Sequence, residues 1–288
     1  MKPPGCYGGR RAFTVRLSRL FLIVLSWLGP ASPADAGSIS LELAANASVA
    51  SAELTVTLSV RNKGDEAAHS VTPACHFRDQ TVAGEIRPLL RPGETLEANL
   101  KLPVPELGTG RWPYRITVSY TDANAYPLHA LHVGTVTVGV PPPGKLGMLE
   151  AAADALATSG SLRVRLKNLS ADPRRVTVGV QLPDSIESPS PVPAVELAPW
   201  EEREVEVPLL NRGALPGSRY AVFATAEYDD GAVHQSVIVP TTLEIVAAQS
   251  LFRRYGNTLW VLAGVLLVAW AGVVIWWMTT GRRQPTGT

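Results

Sequence analysis

From residue 54 onward the chain alternates apolar and polar side chains in short runs. Leu54, Val56, Leu58 and Val60 are interleaved with Thr55, Thr57, Ser59 and Arg61. On an extended backbone successive side chains point to opposite faces, so such a run buries one face and wets the other. The pattern recurs in Leu162, Val164 and Leu166 against Arg163, Arg165 and Lys167. It recurs again in Val176, Val178 and Val180, and in Val205, Val207 and Leu209 with Glu204 and Glu206 outward. Turn signals separate the runs: Asn62-Lys63-Gly64, Arg91-Pro92-Gly93, Ala171-Asp172-Pro173 and Leu215-Pro216-Gly217. Short alternating strands at this spacing predict antiparallel sandwiches rather than a parallel α/β sheet. The alanine-rich stretch Met148 to Thr158 has a helical composition but is read as a strand or linker.

The pattern occurs twice. A shift of 108 residues places Leu54 on Leu162, Val56 on Val164 and Leu58 on Leu166. It also places Arg111 on Arg219, Trp112 on Tyr220, Tyr120 on Tyr228, Asp122 on Asp230 and Val138 on Val246. Duplication of one domain is the simplest explanation. Each copy has a strand ending in a short polar turn (Asn62-Lys63-Gly64; Asn168-Leu169-Ser170), a second strand, then a proline turn and another alternating strand. Gly110-Arg111-Trp112 and Gly217-Ser218-Arg219-Tyr220 next open a long strand that ends in Tyr120-Thr121-Asp122 or Tyr228-Asp229-Asp230. Pro141-Pro142-Pro143-Gly144 divides the copies and is expected to act as a stiff spacer.

This plan, from Leu54 to Val138 and from Leu162 to Val246, resembles bacterial Ig-like modules. It is most similar to the NPCBM-associated domain found next to alpha-galactosidases and to the CARDB adhesion-related domain. The resemblance implies two tandem Ig-like antiparallel β-sandwiches and says little of biochemistry. Membrane proteins that join such modules to one C-terminal span are often accessory to transport or envelope systems, and that role is the expectation here.

The two ends of the chain read differently. Leu259 to Met278 is a run of twenty residues without a charged or polar side chain. At about 1.5 Å per residue a helix of that length spans the hydrocarbon core of a bilayer while satisfying its own backbone. Trp260 near one end and Trp276 and Trp277 near the other suit the two interfaces. At the N-terminus Lys2, Arg10, Arg11, Arg16 and Arg19 precede the greasy stretch Leu20 to Leu28, and Ala34-Asp35-Ala36 follows. That layout predicts a signal peptide cut before Gly37. Arg10-Arg11-Ala12-Phe13 partly resembles a twin-arginine signal, but an ordinary basic leader is the favoured reading. Arg253 and Arg254 before the span balance Arg282 and Arg283 after it, so the leader decides the orientation. The expected organisation is a signal peptide at 1–36, sandwiches at 37–140 and 146–248 with a linker at 141–145, a juxtamembrane segment at 249–258, a span at 259–278 and a cytoplasmic tail at 279–288. Arg253 and Arg254 would then meet the outer headgroups.

Charge narrows the function. Between leader and tail remain 19 basic and 24 acidic residues, a net near −5 without a basic patch, which excludes nucleic acid as a partner. Of the two cysteines Cys6 leaves with the leader, so Cys75 is alone and is expected in a buried strand. His129 and His132 have a spacing found in some metal sites. On a strand, however, residues three apart face opposite ways, so surface or edge histidines are the favoured reading. No G-x-S-x-G elbow, H-E-x-x-H run or phosphate-binding glycine loop occurs. Asp229-Asp230 and Glu201-Glu202 are expected as solvated acids in polar turns. Asn46-Ala47-Ser48 and Asn168-Leu169-Ser170 match the N-glycosylation pattern.

Tyr120, Tyr228, Trp112 and Tyr220 hold equivalent positions in the two copies, which favours core packing over a sugar platform. Trp200, in the turn Ala198-Pro199-Trp200-Glu201, has no aromatic counterpart and is the better candidate for an exposed contact, with a place at the core edge as the equal alternative. No catalytic, cofactor or metal site is expected. The reading is a binding or scaffolding protein of the inner membrane, single-pass, with its domains outside and a protein partner in the envelope. The alternative is an envelope polysaccharide-recognition protein that stacks its ligand on Trp200 or Trp112.

Overall fold

A computed structural model describes residues 37–190 and 194–248 in full, and residues 251–280 as a helix whose side chains are described from 259 to 276. The leader expected at 1–36, the tail beyond 280 and the side chains of Arg253 and Arg254 lie outside the described residues.

The first half contains β1 (Leu41–Ala50), β2 (Glu53–Asn62), β3 (Ala68–Phe77), β4 (Gln80–Ala83), β5 (Arg87–Leu90), β6 (Thr95–Pro103), β7 (Gly110–Thr121) and β8 (Pro127–Val138). The second contains β9 (Leu146–Ala153), β10 (Ser159–Asn168), β11 (Arg174–Gln181), β12 (Ile186–Glu187), β13 (Val195–Leu197), β14 (Glu202–Asn211), β15 (Arg219–Asp230) and β16 (Val233–Glu244). Helix α1 (Leu251–Thr280) follows. The alanine-rich stretch supplies β9, with a bulge opposite Arg165 and Leu166.

The halves share one plan. A sheet β1-β2-β6 faces a sheet in which β7 pairs β8 and β3, and β3 pairs β5. In the second half β9-β10-β14 faces β16-β15-β11-β13. Within each half every pairing of named strands is antiparallel, giving two sandwiches of Ig-like type, all-β apart from α1. Strand β4 is added to β3 in the first copy, and β12 to β14 in the second.

The alternation places the cores. Leu54, Val56, Leu58 and Val60 are fully buried against Ile116, Val118, Cys75 and Phe77. Leu162, Val164 and Leu166 are likewise buried against Val176, Val178, Val207 and Leu243. Each such side chain contributes about 1.5–3 kcal/mol through the apolar surface it removes from water. On the outer face of the second copy Arg163 lies opposite Glu206, Arg165 opposite Glu204 and Lys167 opposite Glu202, which keeps that face wet.

Two buried asparagines set the equivalence between copies. Asn62 donates from Nδ2 to Glu66 O at 2.8 Å and Leu90 O at 3.1 Å, while its Oδ1 accepts from Gly64 N at 2.9 Å. Asn168 donates to Asp172 O at 2.8 Å, Ala198 O at 2.9 Å and Leu197 O at 3.4 Å, and accepts from Ser170 N at 3.1 Å. These residues are counterparts, so β2 maps onto β10 with an offset of 106, which puts Val56 on Leu162. The tyrosine positions keep 108, because Tyr120 and Tyr228 hold the same place near the ends of β7 and β15. The single offset of 108 therefore fails in β2. A shift by two preserves an alternating pattern, so periodicity is blind to this difference. The buried side chain of Asn168 also removes that sequon from the folded surface.

Helix α1 is long and apolar enough to cross a membrane: Leu259–Trp276 has a mean hydropathy of 2.4, and none of it is buried against the sandwiches.

Candidate functional site

The two sandwiches meet along a seam. Strand β7 begins beside β16, where Gly110 pairs in parallel with His234 and joins the facing sheets into one ladder. Only a glycine fits there: a Cβ on residue 110 would lie 2.3 Å from His234 O. Around this contact His234 N donates to Thr109 O at 3.2 Å, and Ser236 Oγ donates to Arg111 O at 3.0 Å. Arg111 donates to Gln235 Oε1 at 2.6 Å and to Pro142 O at 3.0 Å, and Gln235 Nε2 reaches the same carbonyl at 3.1 Å. The proline segment, expected as a stiff spacer, is thus also strapped to both copies. Farther along, Arg115 donates to Gln181 Oε1 at 3.3 Å and Tyr126 OH to Gly213 O at 2.9 Å. Leu131 and Val133 of β8 pack with Phe223 and Ile238 in a small apolar cluster of their own.

Trp112 belongs to this seam. Its ring stacks on His234 with centroids 4.0 Å apart and planes 15° from parallel, and Nε1 donates to Gly108 O at 3.1 Å. The Arg78 guanidinium lies 5.1 Å from the ring centroid. Trp112 is therefore partly core, as its position suggested, but its stacking partner comes from the other copy. Trp200 lies elsewhere, 61% exposed at the tip of the turn before β14. Its φ is +60°, and Gly93, with φ +79°, holds the corresponding turn of the first copy. The capping contact is shared: Glu201 accepts from Ala198 N at 2.6 Å as Glu94 accepts from Arg91 N at 2.9 Å. An L residue in this left-handed region costs roughly 1–2 kcal/mol. The structure does not bring Trp112 and Trp200 together.

Four of the five histidines border the seam, a grouping that strand spacing could not reveal. His129 Nε2 lies 3.5 Å from Asp184 of the second copy. His132 sits between Tyr114 and Phe223, with ring centroids at 6.4 and 6.3 Å, and burial pushes its pKa down. His76 contacts the hydroxyls of Thr81 and Thr117, each at 2.9 Å. Burial first, and then the Arg115 charge, lower its pKa, against an opposing pull from Asp184. His234 bridges Asp229 at 2.9 Å and Glu227 at 3.2 Å. His129 and His132 thus serve different contacts and do not converge. Cys75 is buried, as expected, and burial pushes its thiol up to about 12, which makes it a poor nucleophile.

Asp229-Asp230 end β15 rather than lying in a turn: Asp229 is a solvated acid that also meets His234, whereas Asp230 is drawn in by Lys145 at 2.9 Å and Arg174 at 3.2 Å. The Lys145 hydrogen bond, followed by that of Arg174, holds the Asp230 carboxyl below its ordinary range. Arg174 is nearly buried, lies 5.3 Å from the Tyr228 ring centroid and donates from Nε to Ser170 Oγ.

Between the sandwiches the seam opens into a cleft of about 470 Å³, a size typical of small-molecule sites. His76, Arg78, Trp112, Tyr114 and Arg115 line it from the first copy, and Gln181, Thr225, Glu227 and His234 from the second. A second hollow of about 420 Å³ shares Glu227 and His234 and extends toward Arg174 and Arg175. The cleft offers charge, hydrogen bonds, an aromatic edge and the paired His234 and Glu227.

No protein-family model matches the chain. No curated protein matches it either. Solved structures give distant likeness. Native Escherichia coli alpha-2-macroglobulin is 13% identical with a TM-score of 0.27, over 73% of this chain and 17% of that one. The same macroglobulin activated by porcine elastase is 16% identical with a TM-score of 0.29, over 76% and 23%. The E. coli chaperone DraB is 15% identical with a TM-score of 0.27, over 70% and 98%. The chain spans 17–23% of the length of those macroglobulins, and at such scores the likeness carries no functional argument.

Proposed function

We propose that the chain is a membrane-anchored binding or scaffolding protein of the bacterial cell envelope, related to Ig-like modules of the NPCBM-associated and CARDB type. In this reading α1 crosses the inner membrane, the two sandwiches stand on the periplasmic side and the short C-terminal tail stays in the cytoplasm. The observation that supports it is the seam. Domains joined by a linker ordinarily move relative to each other. Here hydrogen bonds, an aromatic stack and a strapped linker make the pair one body, as a scaffold requires. Binding rather than catalysis is the role proposed, and strand addition at the sheet edges formed by β6 and β9 is the expected mode of contact.

Co-purification from gently solubilised membranes tests the role: a defined envelope protein should accompany the chain, and a chain that reproducibly runs alone counts against scaffolding. Protease added to intact spheroplasts tests the topology. Digestion of residues 37–248 is expected, and full protection would overturn the placement.

The polysaccharide reading keeps one specific support, the exposed Trp200 in a backbone conformation that glycine would adopt without strain. Strain of this kind persists where function maintains it. Tryptophan fluorescence on adding envelope glycans should shift in the wild type and not in Trp200→Gly. Identical traces across a broad panel would remove this reading.

A further inference from the structure

We propose that the cleft between the sandwiches binds a small hydroxyl-bearing anion, an acidic sugar unit carrying a phosphoryl or carboxyl group, with Arg115 and Arg78 holding the charge. The site goes beyond the scaffolding reading and does not depend on it.

The charges in the cleft wall are unevenly committed. Glu227, its one carboxylate, lies 3.2 Å from His234 Nε2, and His234 also meets Asp229. Arg115 has the neutral Gln181 at 3.3 Å, and Arg78 has the Trp112 ring; among the described residues neither forms an ion pair with a carboxylate. The uncommitted charge facing the cleft is therefore positive. A guanidinium presents a planar fork of donors suited to carboxylate or phosphate oxygens.

Arg78 carries a second sign of purpose. It opens the two-residue turn between β3 and β4 with φ +52°, where glycine would be free of strain. That turn places its guanidinium over Trp112 at the cleft wall. Gln181 and Thr225 add side-chain amide and hydroxyl groups to the opposite wall. Two guanidiniums on one wall, and on the other an amide and a hydroxyl beside a Glu227 already engaged with His234, match an anion with a polar, hydroxylated body.

Titration calorimetry on the full chain tests this, in a detergent without a sugar headgroup. The probes are glucose 6-phosphate, glucuronate, glucose and inorganic phosphate. Saturable binding of at least one charged sugar is expected, with glucose at least tenfold weaker. The stronger of the two charged probes identifies the group as phosphoryl or carboxyl. Arg115→Gln and Arg78→Gln should each weaken binding at least tenfold. Because Arg115 also contacts Gln181 across the seam, the exposed Arg78 variant separates lost charge from a loosened interface. Absence of saturable binding by both charged sugars would overturn the proposal. So would equal affinity for glucose, inorganic phosphate binding as tightly as the sugar phosphate, or an unchanged affinity in Arg78→Gln.

Discussion

The seam can be opened by one methyl group. In Gly110→Ala the new Cβ would stand 2.3 Å from His234 O and 2.9 Å from His234 N, both backbone atoms that no rotamer change can move aside. Carbon–oxygen contacts settle near 3.3 Å or more, so β7 and β16 must separate by roughly 1 Å. That separation breaks the His234 N to Thr109 O bond and the Ser236 Oγ to Arg111 O bond, and it lifts His234 from Trp112. Each hydrogen bond is worth about 0.5–1.5 kcal/mol and the stack about as much, so coupling between the sandwiches should fall by about 2–4 kcal/mol. Neither hydrophobic core includes Gly110, so each sandwich keeps its own packing. Calorimetry of the full chain should change from one unfolding transition to two, and spin labels on the two copies should report a broader distance distribution. Gly93→Ala is the control, since φ is +79° there but nothing lies within 4 Å of the added carbon, and its effect should stay local. A Gly110→Ala protein that unfolds in one transition, within about 1 kcal/mol of wild type, would refute the claim that this contact couples the copies.

Three further outcomes are expected. Asn168→Ala removes a buried side chain that satisfies three carbonyls and two Ser170 donors, and it should cost about 3–5 kcal/mol in a denaturant melt; a loss below about 1 kcal/mol would show that water replaces it. Trp200→Gly relieves the left-handed strain but adds unfolded-state entropy, so stability should stay level or rise by up to about 1 kcal/mol; a clear loss would mean that the indole packs more than its exposure suggests. For pH, His76 and His132 have folded pKa values below the ordinary 6.5, so above that pH both are neutral in either state and stability is flat. Below it the unfolded chain takes up protons first, so stability should fall with acidification. Asp230, held below 3.8, adds a further loss only at lower pH, as its carboxylate is protonated. Melting temperatures from pH 8 to 4.5 should show the first decline, and His132→Asn should flatten it.

Much of the architecture was legible in the sequence because it rests on local repetition. Alternation at Leu54–Val60 and Leu162–Leu166 marks strands whose burial the fold reproduces, and Leu259–Trp276 declares a helix suited to a bilayer by composition alone. The same repetition misled where it carries no phase information. A two-residue shift leaves every inward position inward, so Leu54 could be set on Leu162 until the hydrogen bonds of Asn62 and Asn168 pinned the register. Trp112 was open between core and ligand platform because its stacking partner, His234, lies in the other copy.

The amino-acid order by itself determined two copies of an alternating, turn-punctuated unit and a greasy C-terminal helix, since each is encoded by neighbours a few residues apart. Only the tertiary structure decided that the copies lock together through Gly110, Arg111 and Gln235, strap the proline linker and enclose a cleft bearing Arg78 and Arg115. The contacts of Gly110 and Arg111 with the second copy join residues more than a hundred positions apart through single polar groups, and such pairings leave no periodic trace in a sequence.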